Sequence, residues 1–282
     1  MSEAATPRPI WLCADDYGIS PGVNRAIRDL IARGRLNATS VMMVGAATDR
    51  GEIDALESAA KVSPRCAIGL HVTLSAPFRP LTLHFRPLDG DMFLPFATLL
   101  RAALMRRLDH EIFYAEVKAQ LAAFAHAFGR PPDFVDGHQH TQLYPQVRDG
   151  FLDAVREAAP TAWVRQGGRD LPLLRRLGAA PKALVLDALS AQFRRRARRT
   201  ALAFNPAFAG AYDFTRDADF AGLMQNFMEG LPESGLVMCH PGFVDDTLRS
   251  LDPMTDVRQR EYDYLASEAF PRLLAKTNLT LE

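Results

Sequence analysis

Short apolar runs alternate along this chain with longer stretches of helical periodicity, the pattern of an α/β fold on a largely parallel sheet. Ile10–Ala14 reads as a buried strand. Pro21–Arg33 reads as a helix, with Ser20 as its N-cap, Pro21 at its first position and Gly34 as its stop. Thr39–Val44 predicts a second strand, Asp54–Ser63 a second helix and Cys66–Leu74 a third strand. Asp109–Phe128 predicts a long amphipathic helix closed by Gly129 and a Pro-Pro pair. Strand Phe134–Asp136, helix Val147–Ala158 and strand Ala162–Arg165 follow. Leu236–Cys239 predicts a late strand before His240-Pro241-Gly242, and Val257–Leu274 a single final helix. Ala76–Arg107 and Leu171–Phe208 fit this rhythm poorly and read as insertions into one domain spanning residues 1–282.

Length and composition narrow the class. A chain of 282 residues suits one domain of the α/β barrel size, and 48% hydrophobic residues exclude a disordered chain. Lys+Arg and Asp+Glu both number 33, so the basic excess typical of nucleic-acid binding is missing. Three scattered cysteines predict reduced thiols rather than a disulfide framework. The start MSEAATPRP has neither a basic beginning nor an apolar core, and no run approaches the ~20 apolar residues of a membrane span. A cytoplasmic protein is expected, touching a membrane only from outside.

Polar residues that carry chemistry stand at the predicted strands' ends: Asp15-Asp16 follows the first, His71 lies within the third, Asp136-Gly137-His138-Gln139-His140 follows the fourth and His240 follows the late one. Strand C-termini are where β/α barrels and open sheets gather their active sites. Two adjacent carboxylates repel unless a cation binds one and leaves the other as a base. His71 lies among aliphatic residues, where a core histidine is the competing reading. His138 and His140, two apart on an extended segment, share a face, so one would ligate a metal and the other meet substrate or a neighbouring ligand. With a remote Asp and His they fit a facial Asp/His/His site with open positions. Two imidazoles and a carboxylate suit zinc. Weaker carboxylate-and-water sites take magnesium or manganese, and cobalt and nickel are compatible. His240, held by the Pro-Gly turn, is the best candidate for a general acid.

ADDYG at Ala14–Gly18, GLHVTL at Gly69–Leu74, DGHQHTQLYP at Asp136–Pro145 and HPG at His240–Gly242 resemble the YdjC/ChbG carbohydrate deacetylase family, in the family's order and across nearly the whole chain. The resemblance implies a variant (β/α) barrel of the polysaccharide-deacetylase-like type, one divalent metal ion, and removal of N-acetyl groups from amino sugars. By that resemblance Asp16, His71 and His138 hold the metal, Asp15 is the catalytic base, and His240 is the acid or transition-state stabiliser. Tyr17, Asp136, His140 and Arg165 are then expected to bind substrate or support the ligands, with Arg165 orienting Asp15 through a charge-assisted hydrogen bond. Gln142 and Gly45 depart from chito-oligosaccharide-type members, which often carry His and Asn there.

The run from His240 to Pro271 is similar to the hopanoid-biosynthesis-associated branch, HpnK. That similarity implies a lipid-linked N-acetylglucosamine, such as N-acetylglucosaminyl bacteriohopanetetrol, and peripheral contact with the inner membrane. An insertion holding Phe78, Phe85, Met92, Phe93, Leu94, Phe96, Leu99, Leu100, Leu104 and Met105 would offer a rigid apolar tail a surface, with core packing as the competing reading for most of these. The basic run Arg194–Arg199 reads either as a bilayer-facing surface or as a solvated helix face. The rivals are a chito-oligosaccharide deacetylase, metal-dependent glycoside or phosphoester hydrolysis, and a non-catalytic lipid- or sugar-binding protein with a relic metal site. A homodimer is compatible with the sequence, which leaves the oligomeric state open.

Overall fold

The computed structural model describes residues 6–62, 66–168, 181–215 and 218–281. The apolar runs pair in parallel as β1 (Trp11–Tyr17), β2 (Ala38–Val41), β3 (Ala67–Val72), β4 (Phe134–Gly137), β5 (Trp163–Val164), β6 (Phe208–Ala209) and β7 (Leu236–Cys239). These seven strands form one sheet in the order β5-β4-β3-β2-β1-β7-β6. A parallel bridge joins Val164 to Phe204, and the Val164 N–H donates to the Ala203 carbonyl at 2.9 Å. The outer strand β5 thereby meets the segment that runs into β6. The sheet curls into the variant (β/α) barrel expected, with helices between its strands.

Local chemistry accounts for the helix ends. Ser20 Oγ accepts the Val23 N–H at 3.3 Å ahead of helix Pro21–Ala32, and Asp109 caps helix His110–Phe128 by accepting the Glu111 N–H at 3.0 Å. Gly129 closes that second helix at φ 67°, the left-handed conformation glycine adopts freely.

Alternation along the strands sorts the core into two faces. Leu12, Ile68, Leu70, Val135 and Val237 face the helices in the larger apolar cluster. Cys13, Ala38, Ala67, Phe134, Phe208, Leu236 and Met238 fill the other face, with Trp11 and Trp163 packed against them. Phe134 stacks on Trp163 with ring centroids 4.5 Å apart. Gly69 makes room for that ring, since a Cβ there would lie 2.6 Å from it.

Several expectations are corrected here. The second strand ends at Val41 rather than Val44, because the Gly45 N–H turns back onto the Met42 carbonyl at 2.9 Å. The final helix is two, Asp256–Ala266 and Ala269–Thr277, broken at Ser267. Pro271 supplies the reason: its ring clashes with the carbonyl four residues back and it has no N–H to donate there.

The Ala76–Arg107 insertion contains a hairpin, Leu88–Asp89 with Met92–Phe93, and a helix, Phe96–Leu104. Phe78, Phe85, Phe93 and Leu99 are core residues, with Phe85 edge-on to Phe93 and Phe113. Met92, Phe96, Leu104 and Met105 are exposed, and Leu81 and Leu83 join them. Buried Glu116 fastens the insertion to helix His110–Phe128, accepting the Leu81 N–H at 3.0 Å, the Thr82 N–H at 2.9 Å and the Thr82 O–H at 2.6 Å. Glu116→Ala removes the acceptor from these three donors and from Gln120 Nε2, which donates to Oε1 at 2.9 Å. It is expected to destabilise the fold by roughly 2–3 kcal/mol in urea unfolding. A variant within about 0.5 kcal/mol of the parent would contradict this anchoring.

The arginine run lies on helix Pro181–Arg199, and residues 169–180 of the second insertion-like segment lie outside the described residues. Three of its arginines have partners, while Arg195, Arg198 and Arg199 are exposed. Arg194 donates to Gln166 Oε1 at 2.8 Å, Arg196 pairs with Asp153 at 3.1 Å, and Arg198 lies over the Phe204 ring. No helix among the described residues is long and apolar enough to cross a membrane.

Candidate active site

Two residues beyond the inner-face core positions, the same strands present polar groups. Ala38 is followed by Ser40, Ala67 by His71 four positions on, Phe134 by Asp136, Cys13 by Asp15 and Met238 by His240. All sit at the C-terminal edge of a parallel sheet, so a period of two carries them to one mouth. Asp16 would point the other way in a regular strand. The β1–β2 register shifts between Ala14 and Tyr17, and Asp16 takes φ 69°, which turns both neighbouring carboxylates into the site.

Asp16 Oδ1 lies 3.2 Å from His71 Nε2 and 3.0 Å from His138 Nδ1. Donor atoms of these three residues fall within 4.8 Å of one another, the arrangement a single cation requires. His71 is preset for it. Its Nδ1 lies 2.6 Å from Asp136 Oδ1 and 3.0 Å from Ser40 Oγ, so Nε2 is the atom aimed at Asp16. The donor chemistry therefore fits a divalent ion. Burial works against charge on His71, yet Asp136 and Asp15 outweigh it and push its pKa up to about 10. Asp16 is also fully buried, and Arg258 and His138 hold its carboxyl well below the usual carboxylate range.

Arg165 grips Asp15 with both arms, Nη1 to Oδ1 at 2.6 Å and Nη2 to Oδ2 at 2.7 Å, and reaches Asp136 Oδ2 at 2.9 Å. Burial alone would raise the Asp15 pKa, but Arg165, His71 and His240 bring it down to about 2. Cys13, Asp15 and Asp136 also cluster as cation donors, but the Arg165 guanidinium already stands among them as the cation. On the opposite side His240 Nε2 lies 4.0 Å from Asp15 Oδ2, and the His240 ring meets Phe214 edge-on. Asp15 and His240 thus face one volume beside the Asp16 cluster.

Two sequence readings change. His138 and His140 do not lie on an extended segment: they occupy a 3-10 turn, His138–Leu143, in which Gln139 and His140 take φ 54° and 57°. The turn separates them. His138 meets Asp16 and Phe78, while His140 packs against Phe208, and burial together with Arg165 lowers the His140 pKa to about 3. Tyr17 does not join the group either. Its hydroxyl donates to the Glu52 carbonyl at 2.6 Å and accepts from Arg28 at 2.7 Å, behind the carboxylates.

Gly45 and Gln142 have structural duties: a Cβ on Gly45 would lie 2.3 Å from the Gly18 carbonyl oxygen, and Gln142 Nε2 donates to the Arg165 carbonyl at 3.3 Å. Three residues at the site escaped the sequence reading. Ser40 is two positions along its strand face from Ala38, a signal that was available. Arg258 and Glu261 come from the final helices, where nothing local marks them as buried.

Comparisons with known proteins agree with this frame. Chitooligosaccharide deacetylases of Yersinia pestis (strain Pestoides F) and Yersinia pseudotuberculosis serotype O:3 (strain YPIII) are each 28% identical over 239 residues, covering 83% of this chain and 82% of the relative. A protein of Enterococcus faecalis V583 proposed to cleave cellobiose phosphate superposes with a TM-score of 0.74 at 19% identity, over 98% of this chain and 97% of that one. The lactam utilization protein of Thermus thermophilus gives a TM-score of 0.51 at 14% identity, over 97% of this chain and 99% of that one. These two structural likenesses speak for the fold alone. The model of the YdjC-like protein family matches residues 9–276, a span that takes in every strand of the barrel and all four strand-end motifs, and the chain belongs to that family.

Proposed function

We propose that this protein is a metal-dependent hydrolase that removes the N-acetyl group from an N-acetylglucosamine-type amino sugar. The observation that carries the reading is the convergence of Asp16, His71 and His138 beside Asp15 and His240 at one strand-end mouth. The name borne by the Yersinia relatives, chitooligosaccharide deacetylase, supports the same chemistry. Asp16, His71 and His138 would hold one divalent ion, zinc suiting this donor set best, with magnesium, manganese, cobalt or nickel as other occupants. Bound there, the ion supplies Lewis acidity toward the acetyl carbonyl and lowers the pKa of water. Asp15, ionised and fixed by Arg165, takes the proton of the attacking water. His240 gives a proton to the departing amine, and its place across from Asp15 separates base from acid. Asp136 acts through His71, holding the ring so that Nε2 stays aimed at Asp16.

The finer reading is a hopanoid-linked substrate, N-acetylglucosaminyl bacteriohopanetetrol, met by a protein docked at the cytoplasmic face of the membrane. Exposed Leu81, Leu83, Phe96, Leu104 and Met105 support it, because helix Phe96–Leu104 packs against the His138–Leu143 turn. Each buried CH₂ contributes about 0.8 kcal/mol, so partial docking of a polycyclic tail outweighs several sugar hydrogen bonds. A chito-oligosaccharide substrate is the second reading, favoured by the Yersinia relatives. Acetate release under matched detergent separates them. The lipid-linked amino sugar is expected to show at least about tenfold higher kcat/KM than diacetylchitobiose, since remote binding energy is used in the transition state. Equal or better activity on the disaccharide replaces the lipid reading with the second. Acetate from neither leaves a non-catalytic lipid- or sugar-binding protein with a relic metal site.

A further inference from the structure

Helix Asp256–Ala266 carries two fully buried charged side chains one turn apart, Arg258 and Glu261. Buried charges are costly unless paired, and a helix that only covered a sheet would do so better with apolar residues. These two are not paired with each other. Arg258 Nη2 donates to Asp16 Oδ2 at 2.6 Å and to Asp252 Oδ2 at 2.5 Å. Glu261 Oε2 accepts the main-chain N–H of His240 at 2.5 Å, and its Oε1 accepts the Tyr212 O–H at 2.6 Å. The Arg258 carbonyl accepts the Gly242 N–H at 3.0 Å, so the helix also holds the turn that follows His240. One helix therefore touches the site at two neighbouring strands, β1 and β7.

Asp16 gives this contact its weight. Its left-handed backbone is one that non-glycine residues keep only where the surroundings hold them. Its Oδ1 faces His71 and His138, while Oδ2 is taken by Arg258. Without the guanidinium, nothing described would keep Oδ2 occupied and Oδ1 turned toward the imidazoles. The positive charge of Arg258 lowers the attraction between Asp16 and a cation. Orientation outweighs that effect, because a ligand oxygen held from behind by a hydrogen-bond partner meets an ion without reorganising.

We infer that helix Asp256–Ala266 is the positioning element of the site: Arg258 sets the metal-binding oxygen of Asp16, and Glu261 sets the main chain that carries His240. Both are positioning residues, since each acts through another. The inference rests on the metal and acid roles proposed above for Asp16 and His240.

The test separates the two arms in the full-length protein, stripped with chelator and titrated with zinc in a calorimeter. Arg258→Met is expected to weaken zinc binding roughly 10–100-fold, the usual effect of losing a partner behind a metal ligand. Arg258→Lys keeps the charge and recovers part of that loss; it also carries the test should the methionine variant fail to fold by circular dichroism. Glu261→Gln is expected to bind zinc like the parent while kcat falls by about tenfold or more at unchanged KM. The His240 amide proton, set downfield by its bond to the carboxylate, should move upfield in that variant's NMR spectrum. Parent-like zinc affinity in both folded Arg258 variants overturns the Arg258 arm. An unmoved amide signal, or equal loss of zinc in Glu261→Gln and Arg258→Met, overturns the Glu261 arm. Should the parent bind zinc but release no acetate, the deacetylase reading falls alone, because the zinc and amide readouts still judge the helix.

Discussion

Asp15→Asn is expected to lower kcat by roughly two to four orders of magnitude while zinc affinity stays near that of the parent. Asp15 is not among the Asp16, His71 and His138 donors, and the group it forms with Cys13 and Asp136 is already filled by the Arg165 guanidinium. What singles Asp15 out is its surroundings. It faces His240 at 4.0 Å, and Arg165 holds both of its oxygens from behind. The opposition of burial and cations is won by the cations, which hold the pKa at about 2 and keep the group charged in a dry site. Asparagine has the same shape and no proton affinity to offer. It retains one oxygen for Arg165, which also keeps Asp136 at 2.9 Å, so the fold survives the change. The measurement pairs acetate release with a zinc titration and a urea melt on the same sample. Turnover within about tenfold of the parent would remove Asp15 as the base. A joint loss of zinc and stability would make it a structural partner of Arg165.

The parts of the molecule legible in the sequence are those written in local chemistry. Helix Val147–Ala158 and strand Leu236–Cys239 are read with their observed bounds, and Ser20, Pro21, Asp109 and Gly129 mark helix ends because each acts within a turn of its own position. The strand-end acids and histidines were legible for a related reason. A charged or imidazole side chain directly after a buried apolar run has few places to go except the mouth of a parallel sheet. Facing direction was harder to read. Nothing in Gln139 or His140 announces a left-handed turn, so an alternation argument valid for strands placed the two histidines on one face. Arg258 and Glu261 escaped for a different reason. Their helix is polar in composition, and what buries them is pairing with Asp16 and His240, Asp16 lying 242 residues away in sequence. Burial through such distant partners leaves no periodic trace. Pro271 is a local signal that a single final helix cannot continue through Ser267, and it outweighs the run of helix formers around it.

Removing the divalent ion proposed for this site, or the best-anchored of its proposed ligands, is expected to have the largest effect on this protein. Chelator treatment should abolish acetate release, and added zinc should restore it. His71→Ala should lose turnover by several orders of magnitude and stay inactive at any zinc concentration that leaves the parent saturated. The two histidines are not equivalent. His71 is fully buried and its ring is set by Asp136 and Ser40, so its Nε2 needs no reorganisation to meet a cation. His138 has 12% of its side chain exposed and sits on a turn containing two left-handed residues, so its position costs more to hold and water can substitute for it more readily. His71→Ala should therefore weaken zinc binding more than His138→Ala does. Stability provides a second readout that does not depend on turnover. An ion that binds only the folded chain stabilises it by about 2.7 kcal/mol at a hundredfold excess over its Kd. That increment should appear in the parent's urea midpoint, shrink in His138→Ala and vanish in His71→Ala at the same zinc concentration. If zinc left the parent's midpoint unmoved, or moved the parent and His71→Ala alike, the Asp16, His71 and His138 cluster would be a buried ion-pair network and not a metal centre.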